Sequence, residues 1–167
     1  MSEPLGTHTE AGRAVKAVET RLIRWKAQVW KCEVLIPKSD TCSIDAIFHR
    51  DDIPLAVAEI KCRDITREQL VEYGTYLITE SKLGCGMAYA YELGVPYLLI
   101  VLLNDGWSYQ WKICEADGRP LFEWKTEQTL TQRTIAGGAI YRDNAFLPLE
   151  EAACSQLSQF TWTPATP

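Results

Sequence analysis

No apolar run in this sequence approaches the roughly 20 residues that cross a bilayer. Residues 1–10 are polar, without the apolar stretch of a secretory signal. The expectation is an intracellular, cytoplasmic protein with no membrane partner. Histidine is scarce, at two residues, and the six cysteines at 32, 42, 62, 85, 114 and 154 form no CxxC pair. No Cys/His group has zinc spacing. The cysteines therefore read as reduced thiols in or near the core, not as a disulfide framework. Internal repeats and low-complexity tracts are absent. So is a surplus of positive charge: the net charge is −5, which argues against nonspecific nucleic-acid binding through bulk charge.

What is present suits a single domain over residues 1–167, with a core at about 10–126 and a flexible tail at 161–167. The chain is 47% hydrophobic and 23% charged, a soluble globular balance. Ala11, Val15, Val18, Leu22, Trp25 and Val29 recur at helical steps, with Thr9 placed to cap them. That stretch is locally basic: Arg13, Lys16, Arg21, Arg24, Lys26 and Lys31 stand against Glu19 alone. A solvated helix face and a phosphate-contacting face both fit it. Strands follow at 29–36, 43–49 and 55–62, with turns at 38–40 and 50–54. Helices are expected over 66–78 and 83–93, the second ended by Gly94. Residues 95–103 read VPYLLIVLL, an apolar strand for the middle of a sheet. Trp107, Tyr109, Trp111 and Ile113 alternate, and Asp117-Gly118 signals a hairpin into 120–124. A loop containing Gly137-Gly138 and a closing helix over 149–160 complete the pass. The order predicts an α/β fold, a mixed central sheet flanked by helices with an added C-terminal hairpin region.

The segment AEIKCRD, residues 58–64, ends an apolar strand with Glu59 and Lys61 two apart and hence on one face. If the hairpin before it turns at Asp52, paired residue numbers sum to 104, and Asp45 lies opposite Glu59. Opposed side chains in such a pair have Cβ atoms about 5 Å apart. Two close carboxylates repel unless a cation or a proton lies between them. Mg²⁺ takes oxygen ligands and needs one or two carboxylates plus waters and substrate phosphate. The Ile60 carbonyl can add an oxygen. Lys61 can hold or deprotonate a water, or neutralise charge on a phosphate, which is the equipment of metal-assisted phosphodiester hydrolysis. Downstream, Gln69 and Tyr73 share a helix face. Upstream, Glu19 lies beside the apolar stripe, where a carboxylate wants a partner.

These residues resemble the PD-(D/E)XK nucleases. Asp45 followed by Glu59-Ile60-Lys61 looks like the D…(D/E)xK core, and Gln69-Leu70-x-x-Tyr73 looks like the QhxxY motif of the RecB-type and lambda-exonuclease-like branch. The resemblance covers about residues 10–103. It implies a restriction-endonuclease-like fold, Mg²⁺ or Mn²⁺ dependence and DNA as substrate. It also implies catalytic roles for Asp45, Glu59, Lys61 and Glu19, with Asp45, Glu59 and the Ile60 carbonyl on the metal. Gln69, Tyr73 and Arg63 would position substrate. Ile44 replaces the family's proline, Glu10 competes with Glu19 for the acid of the first helix, and no four-cysteine iron–sulfur pattern is present. A surface salt bridge at the strand end is the plain alternative for Glu59 and Lys61, and an ion pair with Lys16 or Arg24 is the one for Glu19. A packed hairpin face or subunit contact fits the aromatic stripe better than base stacking does.

The functional expectation is a metal-dependent DNA nuclease acting as a homo-oligomer or with a protein partner. An inactive nuclease-fold DNA-binding or interaction protein and an RNA or nucleotide phosphodiesterase are its rivals. Endonuclease and exonuclease action stay equally open.

Overall fold

Asp51 and Asp52 both take positive φ, 50° and 61°, the backbone of a two-residue hairpin turn that Asp tolerates better than most residues. The turn joins β2 (Ala46–Arg50) to β3 (Ile53–Arg63). Near the turn, Arg50 pairs with Ile53 and His49 with Pro54, so paired numbers sum to 103. A bulge at Leu55 then adds one residue to β3. Beyond it Phe48 pairs with Ala56, Ile47 with Val57 and Ala46 with Ala58, the register expected from the sequence. The turn is centred half a residue earlier than expected, and the bulge restores the sum of 104.

The computed structural model describes residues 10–38, 44–132 and 138–162. The Thr9 cap, His8, Cys42, most of the 38–40 turn, Gly137 and residues 163–167 lie outside them. Helix α1 (Glu10–Val29) leads into a short β1 (Glu33–Leu35). After β3 come α2 (Arg67–Tyr73), β4 (Thr75–Thr79), α3 (Glu80–Leu93) and β5 (Tyr97–Leu103). The chain closes with β6 (Trp107–Cys114), β7 (Lys125–Gln132), β8 (Ala139–Pro148) and β9 (Ala153–Gln156).

Six strands form a mixed sheet in the order β1-β2-β3-β5-β6-β9, in which β3 and β5 run parallel. The crossover between them contains α2, β4 and α3, as a parallel connection requires. Alternate residues of β3 face opposite layers. Ala58, Ile60 and Cys62 pack with Leu22, Ile23 and Ala27 of α1. Val57 faces the other way, among Leu99, Val101 and the α3 residues Leu83 and Ala90. All seven residues of β5 are buried, which fits its near-continuous apolar run and its place inside the sheet. A second sheet, β4-β8-β7, lies on the α3 side and contributes Tyr76, Ile78, Ala145 and Leu147 to that core.

Several elements differ from the expectation. The helix expected over 66–78 stops at Gly74, whose φ of 76° ends α2. The following TYLIT pairs with β8 as a strand. Residues 120–124 form one isolated bridge, Cys114 to Pro120, not a hairpin strand. The closing helix is instead two single 3-10 turns on either side of β9, because residues 153–156 complete the edge of β6. Trp162 donates to the Asn104 carbonyl at 3.0 Å, so residues 161–162 are fastened and not a loose tail. Cys62 and Cys114 are buried as expected, whereas Cys85 and Cys154 are exposed. The β6 aromatics are core: Trp111 is buried against Tyr76 and Tyr109, with ring centroids 5.4 and 5.9 Å away.

Candidate active site

β3 is longer than its partner. Past the Ala46–Ala58 pair it runs on through Arg63, held on its other side by β5. Among the described residues, no strand covers the β2 side of this extension. Its backbone N–H groups still need acceptors, and two acids supply them. Asp45 Oδ2 accepts from the Ile60 N–H at 2.9 Å. Glu19 Oε1 accepts from the Cys62 N–H at 3.4 Å. Two carboxylates thus replace the missing ladder bonds, one from the residue before β2 and one from α1.

Around them runs a chain of alternating charge. Lys16 Nζ lies 3.6 Å from Glu19 Oε2 and 3.2 Å from Asp45 Oδ1. Lys61 Nζ lies 3.7 Å from Asp45 Oδ2 and 2.6 Å from Glu59 Oε1. Lys82, at the start of α3, reaches within 3.7 Å of the same Glu59 oxygen. Three acids and three lysines therefore interleave, gathered from α1, the start of β2, β3 and α3. The Glu59 side chain is 1% exposed.

Burial sets the protonation behaviour, modified by the neighbours. Burial pushes the Glu59 carboxyl above its ordinary value, against the pull of Lys61. Glu19 is raised for the same reason. Burial also acts on Asp45, but Lys61, the Ile60 N–H and Lys16 outweigh it and hold that carboxyl below its ordinary value. For Lys61, burial works against the charge, yet Glu59, then Asp45 and Glu19, raise its pKa. In the metal-free protein these carboxylates favour the charged form of Lys61.

The donor set suits a hard divalent cation. Asp45 and Glu59 offer carboxylate oxygens, and the Ile60 carbonyl belongs to the same uncovered edge as the N–H bound by Asp45. Neither buried oxygen of Glu59 accepts a well-formed hydrogen bond; both lysine ammoniums face Oε1. Among the described residues, no three His, Cys, Asp or Glu side chains form a ready metal cage. The residues present fit an ion that takes two carboxylates and leaves further positions to water and substrate.

Gln69, Tyr73 and Arg63, named from the sequence as substrate-positioning residues, have the following surroundings. Gln69 caps its own helix: its Oε1 accepts from the Thr66 N–H at 2.9 Å, and Thr66 answers through Oγ1 to the Gln69 N–H. Tyr73 is 62% exposed near the end of α2. The helix that packs on β3 next to Glu59 is α3, which the QhxxY resemblance passed over. Arg63 shares the face of Glu59 and Lys61, but its guanidinium lies over the Tyr76 ring at 5.7 Å. Glu19 sits within the buried stripe of α1, not beside it, at 9% exposure, and both lysine partners Lys16 and Lys61 act on it. Glu10 stands exposed at the first residue of α1. Lys16 was named as an ion-pair partner for Glu19, which it is, but its contact with Asp45 was missed, and so was Lys82. A lysine three residues before a buried glutamate was a readable signal for Lys16; Lys82 had none, because its approach depends on how α3 crosses the sheet.

The family described as "Phage putative PDDEXK endonuclease" matches residues 9–118. No curated protein matches the chain. Among solved structures, the Holliday junction resolvase Hjc from the archaeal hyperthermophile Archaeoglobus fulgidus is similar, with a TM-score of 0.45 and 12% sequence identity. The likeness covers 79% of this chain and 84% of that one.

Proposed function

The chain belongs to this family of phage PD-(D/E)XK endonucleases, and from that premise we propose that it is a DNA endonuclease dependent on Mg²⁺ or Mn²⁺. The observation that carries the reading is the Asp45–Lys61–Glu59 group at the uncovered edge of β3. Asp45, Glu59 and the Ile60 carbonyl would hold the ion. A bound divalent ion supplies positive charge for the scissile phosphate and makes water more acidic.

The protein's own residues do the rest. The Ile60 N–H fixes Asp45, so one carboxylate is oriented before substrate arrives. Lys61, in its charged form, orients the attacking water by donating to it and faces the charge that grows on the phosphate. Glu19 pins the far end of the strand through Cys62 and draws Lys16 toward the site. Lys82 adds a cation from the α3 side.

The test is cleavage of closed-circular and end-labelled linear DNA with Mn²⁺, for the wild type and Glu59→Ala. Nicking of the circle by the wild type, lost in the variant, is the expected result. Degradation of linear DNA alone would overturn the endonuclease reading in favour of an exonuclease. No cleavage by the wild type on any DNA would point to an inactive nuclease fold, and cleavage confined to RNA would point to a ribonuclease.

A further inference from the structure

The outer face of α1 meets the C-terminal 3-10 turn (Ser158–Phe160) in an open groove of about 800 Å³. Arg13, Lys16, Arg21 and Arg24 line it, and among the described residues no acid does. Of the two acids of this helix, Glu10 stands at its first residue and does not line the groove, and Glu19 is buried on the opposite side, against the sheet. That division of charge is unusual for a protein with a net charge of −5. Aromatic packing fixes the wall: Trp25 meets Phe160 edge-on at 5.4 Å, and the Arg21 guanidinium lies over the Phe160 ring at 5.1 Å. Lys16 belongs to both places. It lines the groove, and its Nζ touches Asp45.

We propose that this groove is the seat of the DNA phosphate backbone flanking the scissile bond, with the C-terminal turn as its second wall. Arg13 to Arg24 spans about 16 Å of helix, or roughly five phosphates of one strand measured along a duplex axis. The basic line touches the site through Lys16, whose Nζ lies 3.2 Å from Asp45, so a backbone laid in the groove is led to the catalytic acids. Contacts of this kind fix register and carry no sequence preference. The bulk negative charge then repels DNA elsewhere, and the groove becomes the favourable approach.

This inference rests on the endonuclease reading, and the experiment separates the two. Binding of a fluorescent duplex is measured in EDTA over a series of salt concentrations. The proteins are the wild type, Arg21→Gln/Arg24→Gln, and a charge-matched control, Lys112→Gln/Arg119→Gln, which lies outside the groove. The groove variant should bind roughly 10-fold more weakly and lose about 1.8 from the slope of log K against log salt. The control should match the wild type. Cleavage with Mn²⁺ is read in parallel, and the groove variant should show a raised KM with kcat retained. If the wild type binds as described but never cleaves, the nuclease reading fails and the groove stands. If the wild type cleaves and the groove variant binds and cleaves like it, the groove is overturned and the nuclease reading stands. Equal losses in the control, or preferential binding of an RNA duplex, would also overturn the DNA groove.

Discussion

The Nζ of Lys61 lies 2.6 Å from Oε1 of Glu59, two residues earlier on the same strand. The same ammonium is 3.7 Å from Asp45, so one cation serves two carboxylates, Glu59 buried and Asp45 half-buried. Without it they would face each other in a region poor in water.

Lys61→Ala should therefore keep the fold and the metal site but lower cleavage by about 100-fold or more, the scale of removing a single preorganised charge. The variant should also depend more on metal for stability. The rise in Tm on adding Mn²⁺ should exceed that of the wild type, since the ion replaces the lost positive charge. Normal cleavage by this variant would remove Lys61 from the mechanism.

Acid should act on the metal-free protein in two stages. The folded-state pKa of Glu59 is raised above its ordinary 4.5, so the fold binds a proton that the unfolded chain releases. Stability should rise as pH falls through the raised value, and the gain is complete below 4.5. Asp45 is lowered below its ordinary 3.8, so its contribution is present above that value and is lost at still lower pH. Metal affinity should fall over the first stage, because the ion competes with the proton on Glu59. Tm against pH for the wild type and Glu59→Gln in EDTA checks this: the variant should lack the Glu59 part of the gain above 4.5.

Glu19 does two separable things. Glu19→Gln keeps an acceptor for the Cys62 N–H and loses the charge that attracts Lys16. Glu19→Ala loses both. The alanine variant should be destabilised by about 1–3 kcal/mol, the cost of an unsatisfied buried donor, and the glutamine variant by clearly less. Urea denaturation distinguishes them. Equal losses would mean that the charge, not the strand-edge hydrogen bond, is what holds Glu19 in place.

Gly86 sets how closely α3 approaches the sheet. A Cβ there would clash with the Cζ edge of the Tyr97 ring, and Tyr97 is wholly buried on β5. Gly86→Ala should cost about 1–3 kcal/mol by overpacking and displace Lys82 from Glu59. Urea denaturation measures the first effect, and reduced cleavage by protein that remains folded measures the second.

Gln69→Ala should remove the capping box of α2 and cost about 1 kcal/mol. Tyr73→Ala should change stability and cleavage little, given its exposure. A large loss of cleavage in Tyr73→Ala, with stability intact, would return that residue to the substrate.

The sequence by itself determined the parts governed by local pattern. The alternation and apolar runs of β2, β3 and β5, and the register that sets Asp45 against Glu59, follow from period-two burial and a tight turn. That register was reached although the turn and the Leu55 bulge were not foreseen, since burial of Ala46, Phe48 and Ala58 leaves one register open. The end of α2 was also written locally, in Gly74 and the β-branched TYLIT after it, and was read past. Tertiary structure alone decided what depends on distant surfaces. Residues 153–156 carry no strong strand signal and become β9 because β6 offers an unpaired edge. Lys82 reaches Glu59 because Gly86 lets α3 settle on Tyr97. Glu19 turns inward because β3 outruns β2 and leaves the Cys62 N–H without a partner, a need that exists only once the sheet has formed.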